Sequence, residues 1–296
     1  MGLGRQRVSS AQITSVVASQ RRTPDGCIFL SFQPIVPFGG FAGWKFLQRT
    51  QEAQRETHSQ NAATQRETTY FKERITTIQS AEALVSDRTL RKVALGAFGL
   101  EADLDNTFFI KKILEDGTTN PKALSNRLSD KRYLAMSEAF GFDDLSVPGP
   151  LKVGFGEQII QSYLDRSFEA AIGNQNSNMR LALGLQRDLP LLAAKDTSND
   201  AKWYAIMGQA PLRKVFEVAL GLPDSFAALD LDQQLRTFKS RADNFFGSPD
   251  LSTFTSPEKL EELTQQFFAR APAGESSQLG STRNSVALAL LRSAPN

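Results

Sequence analysis

The sequence predicts an all-α protein, a multi-helix globular bundle with few or no strands. Helix start and stop signals recur along most of the chain, whereas sustained alternation of apolar and polar residues, which marks a half-buried strand, is almost absent. The chain has 296 residues, of which 41% are hydrophobic. It can therefore bury a sizeable core without support from disulfides or a structural metal.

Capping signals place the helices of the first half of the chain. They predict helices over residues 44–69, 70–78, 87–98, from 121 onward, and 129–140. The polar part of the first helix, 48–69, is unusual because it offers no apolar stripe for burial. Gly99, followed by a leucine, is typical of a left-handed cap that ends the helix before it.

Apolar periodicity places the helices of the second half. It predicts helices over residues 159–172, 179–192, 201–208, 211–220, 231–246 and 257–269. Pro190 and the polar residues 195–200 are expected to end the second of these, because proline lacks the N–H that continues a helix. From residue 271 onward Ala, Gly and Ser dominate, which predicts a flexible tail with a short helix at 286–291.

Two helices share similar beginnings and endings. The phrase Leu-Arg-Lys-Val occurs at 90–93 and at 212–215, each time at the same distance before a Gly-Leu pair. Two related helical modules would produce this recurrence, and so would the common chemistry of helix capping. Both explanations stay open on the sequence alone.

Composition divides the chain into four segments. Residues 1–30 carry four arginines against one aspartate, and we expect them to be a disordered or artefactual N-terminal extension. We expect residues 31–150 to form a helical module that includes the polar helix 48–69, and residues 151–270 to form a second module packed on the first. We expect residues 271–296 to be a flexible tail.

The charge pattern argues against nucleic acid as a partner. The chain holds 34 basic and 32 acidic residues, and beyond the first thirty residues the two signs are interleaved rather than concentrated on one face. No apolar run approaches the roughly 18–20 residues of a membrane-spanning helix. We therefore expect neither nucleic-acid binding nor a membrane-spanning segment.

The sequence offers little catalytic or metal-binding chemistry. Cys27 is the one cysteine and His58 the one histidine, which excludes a disulfide framework and every Cys/His zinc pattern. The neighbours of His58 are polar on every side, so we expect a solvated surface residue. Acidic clusters fail the calcium-loop spacing, because Phe108 and Leu235 stand where the sharp turn needs glycine. We predict no catalytic, cofactor-binding or metal-binding residues.

Two groups of residues are candidates for function. The first group is aromatic, lies at the start of the first helix, and would contact a protein partner or dock that helix on the core: Phe38, Phe41, Trp44 and Phe46. The second group is charged and would form buried structural ion pairs or line a pocket between helices: Asp130, Arg132, Glu169 and Arg180.

Several ordered phrases identify a family resemblance over residues 31–270. They include Val-Ala-Leu-Gly-Ala-Phe-Gly-Leu at 93–100, Ser-Asn-Arg-Leu-Ser-Asp-Lys-Arg-Tyr at 125–133, Ala-Phe-Gly-Phe at 139–142, Met-Arg-Leu-Ala-Leu at 179–183 and Asp-Leu-Asp-Gln-Gln at 230–234. With these phrases the chain resembles the bacterial DUF1217 family, whose function is unknown. The resemblance implies an all-helical fold, an alphaproteobacterial source and genes often found near flagellar genes. It brings no catalytic residues.

These observations together predict a non-enzymatic helical protein that acts through protein–protein contacts. The family resemblance implies that its partners are flagellar components and its role one in flagellar assembly, the basal body or motility. The alternative is an enzyme or small-ligand-binding protein with a pocket between helices. The expected location is the bacterial cytoplasm, with export to the flagellar basal body, or association with it, as the alternative.

Overall fold

A computed structural model describes residues 32–144 and 147–272. Within these residues the secondary structure is helical and no strand occurs, which confirms the predicted fold class. The α-helices are α1 (Gly40–Ser59), α2 (Ala62–Ile75), α3 (Ala81–Ser86), α4 (Arg88–Phe98), α5 (Thr107–Asp116), α6 (Leu124–Arg127), α7 (Lys131–Phe140), α8 (Phe155–Gly173), α9 (Ser177–Ala193), α10 (Asn199–Met207), α11 (Ala210–Ala219), α12 (Leu231–Phe246) and α13 (Pro257–Arg270). The predicted N-terminal extension 1–30 and the helix at 286–291 lie outside the described residues, as does all but the start of the predicted tail.

Side-chain caps begin many of these helices where the sequence places them. The Asp130 carboxylate accepts a hydrogen bond from the backbone N–H of Arg132 at 3.0 Å, and the Asp230 carboxylate accepts one from Gln233 at 2.8 Å. Such caps satisfy free N–H groups of the first turn and stabilise a helix by about 1 kcal/mol each. Gly99 ends α4 in the left-handed conformation, with φ of 72°, as the sequence predicts.

The predicted polar helix 48–69 is wrong as a continuous element. The chain breaks at Gln60 and Asn61, where the Asn61 side chain accepts a hydrogen bond from the N–H of Ala63 at 3.0 Å and starts α2. Asparagine competes with the backbone in this way and so favours helix starts over helix interiors. The break lets α1 and α2 pack separately, and each buries a narrow face that contains Leu47 or Phe71.

Two further boundaries differ from the sequence prediction. Pro190 lies inside α9, which continues to Ala193 because the last turn is held by burial of Leu192 and its neighbours. No helix starts at Pro121. Asn120 instead forms a turn in which its side chain accepts a hydrogen bond from the N–H of Lys122 at 2.9 Å, and the next helix is α6.

The apolar side chains form two cores. The first core is built from α2 to α5, α7 and the first half of α8, and the second core from α1, the second half of α8 and α9 to α13. Within α8, Tyr163 belongs to the first core and Phe168 to the second. The cores therefore divide inside α8, and α1 packs with the later helices. That residues 31–150 and 151–270 form separate units stays a prediction.

Candidate functional site

A cavity of about 980 Å³ lies where the two cores meet. Helix α7 of the first core and helix α9 of the second core form its walls, and α8 contributes side chains near the point where the cores divide. The end of α4 and the region from α10 to the start of α11 close its ends. We call this cavity the inter-core cleft.

The inter-core cleft is rich in charge. Its basic lining side chains are Lys131, Arg132, Arg166, Arg180, Arg187 and Lys195. Its acidic lining side chains are Glu101, Glu138, Glu169 and Asp188. Positive charge is therefore in excess, which raises the local concentration of anionic ligands.

Carboxylates hold most of the arginines in place. Arg180 pairs with Glu101 across the cleft, although the two residues are 79 positions apart in the chain. Arg132 bonds both carboxylate oxygens of Asp130, at 2.6 Å for the shorter contact, and also donates to the backbone carbonyl of Gly99. Two-pronged contacts of this kind fix the plane of a guanidinium.

A second set of pairs joins α8 to α9. Arg187 donates to the buried Glu169, which is 4% exposed, and bonds both oxygens of Asp188 at 2.8 Å. Burial raises the pKa of the Glu169 carboxyl, against the opposing effect of Arg187. The pKa of Glu101 is held below its ordinary value, because its bonds with Arg180 and with its own N–H outweigh its burial.

Arg166 stands apart from these pairs. Among the described residues it makes no hydrogen bond, and its nearest carboxylate oxygen, on Asp188, lies at 4.0 Å. Its side chain is 24% exposed. Burial, followed by the nearby positive charge of Arg187, lowers the pKa of the Arg166 guanidinium. The guanidinium stays protonated and presents its donors to the cleft.

The charged residues singled out from the sequence meet at this cleft. Arg132, Glu169 and Arg180 line it, and Asp130 lies behind Arg132 as its partner and as the cap of α7. Arg180 and Glu169 pair with side chains that sequence reasoning missed, Glu101 and Arg187, and Arg187 in turn pairs with Asp188. Arg166 was missed as well. Charged residues spaced three and seven apart on one face of a helix, as at 166 and 169 or 180 and 187, were the available signal.

The four aromatic candidates do not share one exposed surface. Trp44 is 1% exposed, lies in the second core and approaches the ring of Phe268 at 5.9 Å between centroids. Phe41 is half-buried against the same core. Phe38 is 49% exposed and packs on the half-buried Phe46 with centroids 6.0 Å apart. Only this last pair leaves substantial aromatic surface open to a partner.

The expectation of a solvated His58 is wrong. Its imidazole lies between α1 and α8, with Nε2 at 3.2 Å from the Ser167 hydroxyl and the ring edge-on to Phe168. Nδ1 is buried without a hydrogen-bond partner among the described residues. Burial lowers the pKa of His58. The polar neighbours in sequence carried no sign of this long-range packing.

Residues 32–144 and 147–272 contain no cluster of three or more His, Cys, Asp or Glu side chains arranged to hold a metal ion. In the same residues, no helix combines the length and the apolar character needed to cross a bilayer.

Comparison with known families shows the family to which the chain belongs. The model of a family described as "Protein of unknown function (DUF1217)" matches residues 97–260, more than half of the chain. The chain belongs to the DUF1217 family. The matched range runs from the end of α4 into α13, so it contains all of the residues that line the inter-core cleft. Helices α1 to α3 lie outside it.

A solved structure supports the same fold. A crystal structure of an Agrobacterium tumefaciens protein, determined by a structural genomics consortium, is similar to this DUF1217 chain with a TM-score of 0.62 and 23% sequence identity. The similarity covers 82% of this chain and 99% of the Agrobacterium chain. No curated protein matches the sequence. At this identity the likeness establishes the fold.

Proposed function

We propose that this DUF1217 protein is a non-enzymatic binding protein that receives an acidic segment of a partner protein in its inter-core cleft. The observation that carries the proposal is the excess of positive charge in a cleft built from both cores. Charge complementarity of this kind steers a partner toward the site and selects against partners of the wrong sign.

The pairing of the cleft residues supports a binding role over catalysis. Arg132, Arg180 and Arg187 are each held by a carboxylate, so the lining is arranged before a partner arrives. A preorganised surface loses little conformational entropy on association. Glu169, the buried carboxyl of the cleft, is engaged by Arg187 rather than free to exchange a proton with a substrate.

The volume of the cleft favours a second candidate function. About 980 Å³ lies within the range of small-molecule sites, so an anionic small ligand, with or without a reaction, is the alternative occupant. The two candidate functions differ in what is isolated together with this protein. A bound partner segment would bring a whole second protein with it, whereas a small anionic ligand would not.

The process we propose is flagellar. It rests on the family resemblance, because genes of this family often lie near flagellar genes. On this basis the partners are hook, basal-body or export components, and the protein acts in the bacterial cytoplasm or after export at the basal body. The exposed Phe38 and half-buried Phe46 offer a second, smaller contact surface.

Affinity capture of the full chain from its native cells tests this function. The variant Gly184→Leu fills the cleft, because a Cβ at Gly184 would meet nothing within 4 Å except Nη2 of Arg187, at 3.9 Å. The control Gln158→Leu adds the same side chain at an exposed position of α8 outside the cleft. We expect the wild type and the control to retain flagellar components that Gly184→Leu loses. Equal retention by all three proteins would overturn the cleft as the binding site, and retention of no protein partner would favour the small-ligand alternative.

A further inference from the structure

We propose that Arg166, flanked by Arg132, forms a subsite in the inter-core cleft for one oxyanion group of the ligand, a carboxylate or a phosphate. The inference rests on the proposed binding function of the cleft and names the group that the cleft recognises. It places the anchoring contact at the end of α4, where Gly99 allows the two guanidinium groups to approach.

The geometry around Gly99 brings two positive groups to one point. A Cβ at Gly99 would lie 3.0 Å from Nη1 of Arg166 and 3.4 Å from Nη1 of Arg132. Both guanidinium groups therefore border the same small volume. The left-handed conformation of Gly99 favours glycine, and a Cβ there would push the two guanidinium groups away by a few tenths of an ångström.

The guanidinium N–H groups of Arg166 are available to donate hydrogen bonds at this point. Asp188, its nearest carboxylate, already bonds Arg187 through both oxygens at 2.8 Å, whereas its contact with Arg166 is 4.0 Å. Arg132, by contrast, is held by Asp130 and by the carbonyl of Gly99. Arg166 is thus the one cleft arginine, among the described residues, without a hydrogen bond of its own.

An anion would complete this arrangement. Arg166 is 24% exposed, and burial and the positive charge of Arg187 lower its pKa, whereas Asp188 and Glu169 act in the opposite direction from beyond hydrogen-bond distance. A buried cation is normally paired and hydrogen-bonded. A carboxylate or phosphate would accept two parallel N–H bonds from the planar guanidinium, which is the geometry that arginine supplies and lysine does not.

A structural explanation of Arg166 makes a different prediction. If the guanidinium serves only to stabilise the carbonyl end of α4, its removal destabilises the free protein. If it serves an absent anion, its replacement by an apolar side chain of similar length relieves the buried charge and leaves the free protein at least as stable. The variant Arg166→Met separates these two roles.

The test measures thermal unfolding and binding of the full chain at pH 7. Sodium phosphate and sodium succinate are compared with sodium chloride at equal ionic strength. At an anion concentration about five times Kd, we expect a rise in Tm of roughly 2–4 °C for the wild type, and calorimetry should give a Kd at least about tenfold weaker for Arg166→Met. The control Arg88→Met, which removes an exposed arginine paired with Asp105 outside the cleft, should respond as the wild type does. Comparison of the measurements in succinate and in phosphate shows which oxyanion the subsite binds more tightly.

Three outcomes would overturn the subsite. Neither anion stabilises the wild type, or Arg166→Met responds to the anions as strongly as the wild type, or Arg166→Met folds but is less stable than the wild type without an anion. Should Arg166→Met fail to fold, Arg166→Lys keeps the charge and removes the planar fork, and the subsite predicts weaker anion binding for it. If the subsite fails this test but Gly184→Leu still abolishes capture of the partner, the proposed binding function is retained and only the oxyanion subsite is rejected.

Discussion

Trp44 is a core residue whose indole N–H is buried without a hydrogen-bond partner in the described part of the chain. Trp44→Ala should lower the free energy of unfolding by about 3–5 kcal/mol, because it leaves a large cavity in the second core. Trp44→Phe should cost less, since it keeps an aromatic ring and removes the unpaired donor. Urea unfolding followed by circular dichroism measures both values.

Phe38→Ala is the matched control, since Phe38 is largely exposed. We expect a change within about 1 kcal/mol for it. A Trp44→Ala protein as stable as the wild type would show that this side chain is on the surface, and would return Trp44 to the candidate partner contacts.

His58 makes stability depend on pH. Its pKa is lowered in the folded protein because burial disfavours the charged imidazole. Above the ordinary pKa of about 6.5 both states are neutral and the full stability is present; as pH falls below that value the unfolded state gains the proton first, so stability is lost. Wild type should therefore lose stability between pH 6.5 and the lowered pKa, relative to His58→Gln.

The single histidine makes this prediction easy to check. Proton NMR of one imidazole gives the pKa of His58 directly, without an assignment problem. A measured value at or above 6.5 would contradict its burial between α1 and α8.

Two helical glycines show how neighbouring elements decide the effect of one substitution. Alanine favours a helix over glycine by about 1 kcal/mol. At Gly184 of α9 the added Cβ enters the open cleft, so Gly184→Ala should stabilise the protein by roughly 0.5–1 kcal/mol. At Gly96 of α4 the Cβ would lie 2.7 Å from the ring of Tyr163 on α8, so Gly96→Ala should destabilise by roughly 1–3 kcal/mol.

Chemical denaturation of the two alanine variants measures this contrast. If both substitutions changed the free energy of unfolding equally, helix propensity alone would determine their effect. It would follow that α4 and α8 do not pack as closely as the contact between Gly96 and Tyr163 requires.

Local signals predicted many of the element boundaries, because a cap depends on residues within one turn. Asp130 and Gly99 begin and end helices where the sequence places them. The sequence predictions fail where contacts between residues far apart in the chain determine the local structure. Pro190 stays helical because its neighbours are buried in the second core, and His58 is buried by α8, more than one hundred residues away.

At the scale of the whole molecule, α8 passes through both cores and places Arg166 and Glu169 at their junction. The individual charged candidates were visible in the sequence, and so was the local pair of Asp130 with Arg132, but the partners of Glu169 and Arg180 were not, since a pair such as Arg180 with Glu101 depends on how the two cores dock. The cleft is therefore a property of the assembled fold, whereas its basic excess comes from residues on α7, α8 and α9.

The most direct test of the cleft as the binding site is amide hydrogen exchange of the full chain, with and without its captured partner. The account predicts slower exchange in α7, in the part of α8 around Arg166 and in α9, with weaker protection at residues 37–47. Protection confined to residues 37–47, around Phe38 and Phe46, would contradict it and assign partner binding to the start of α1.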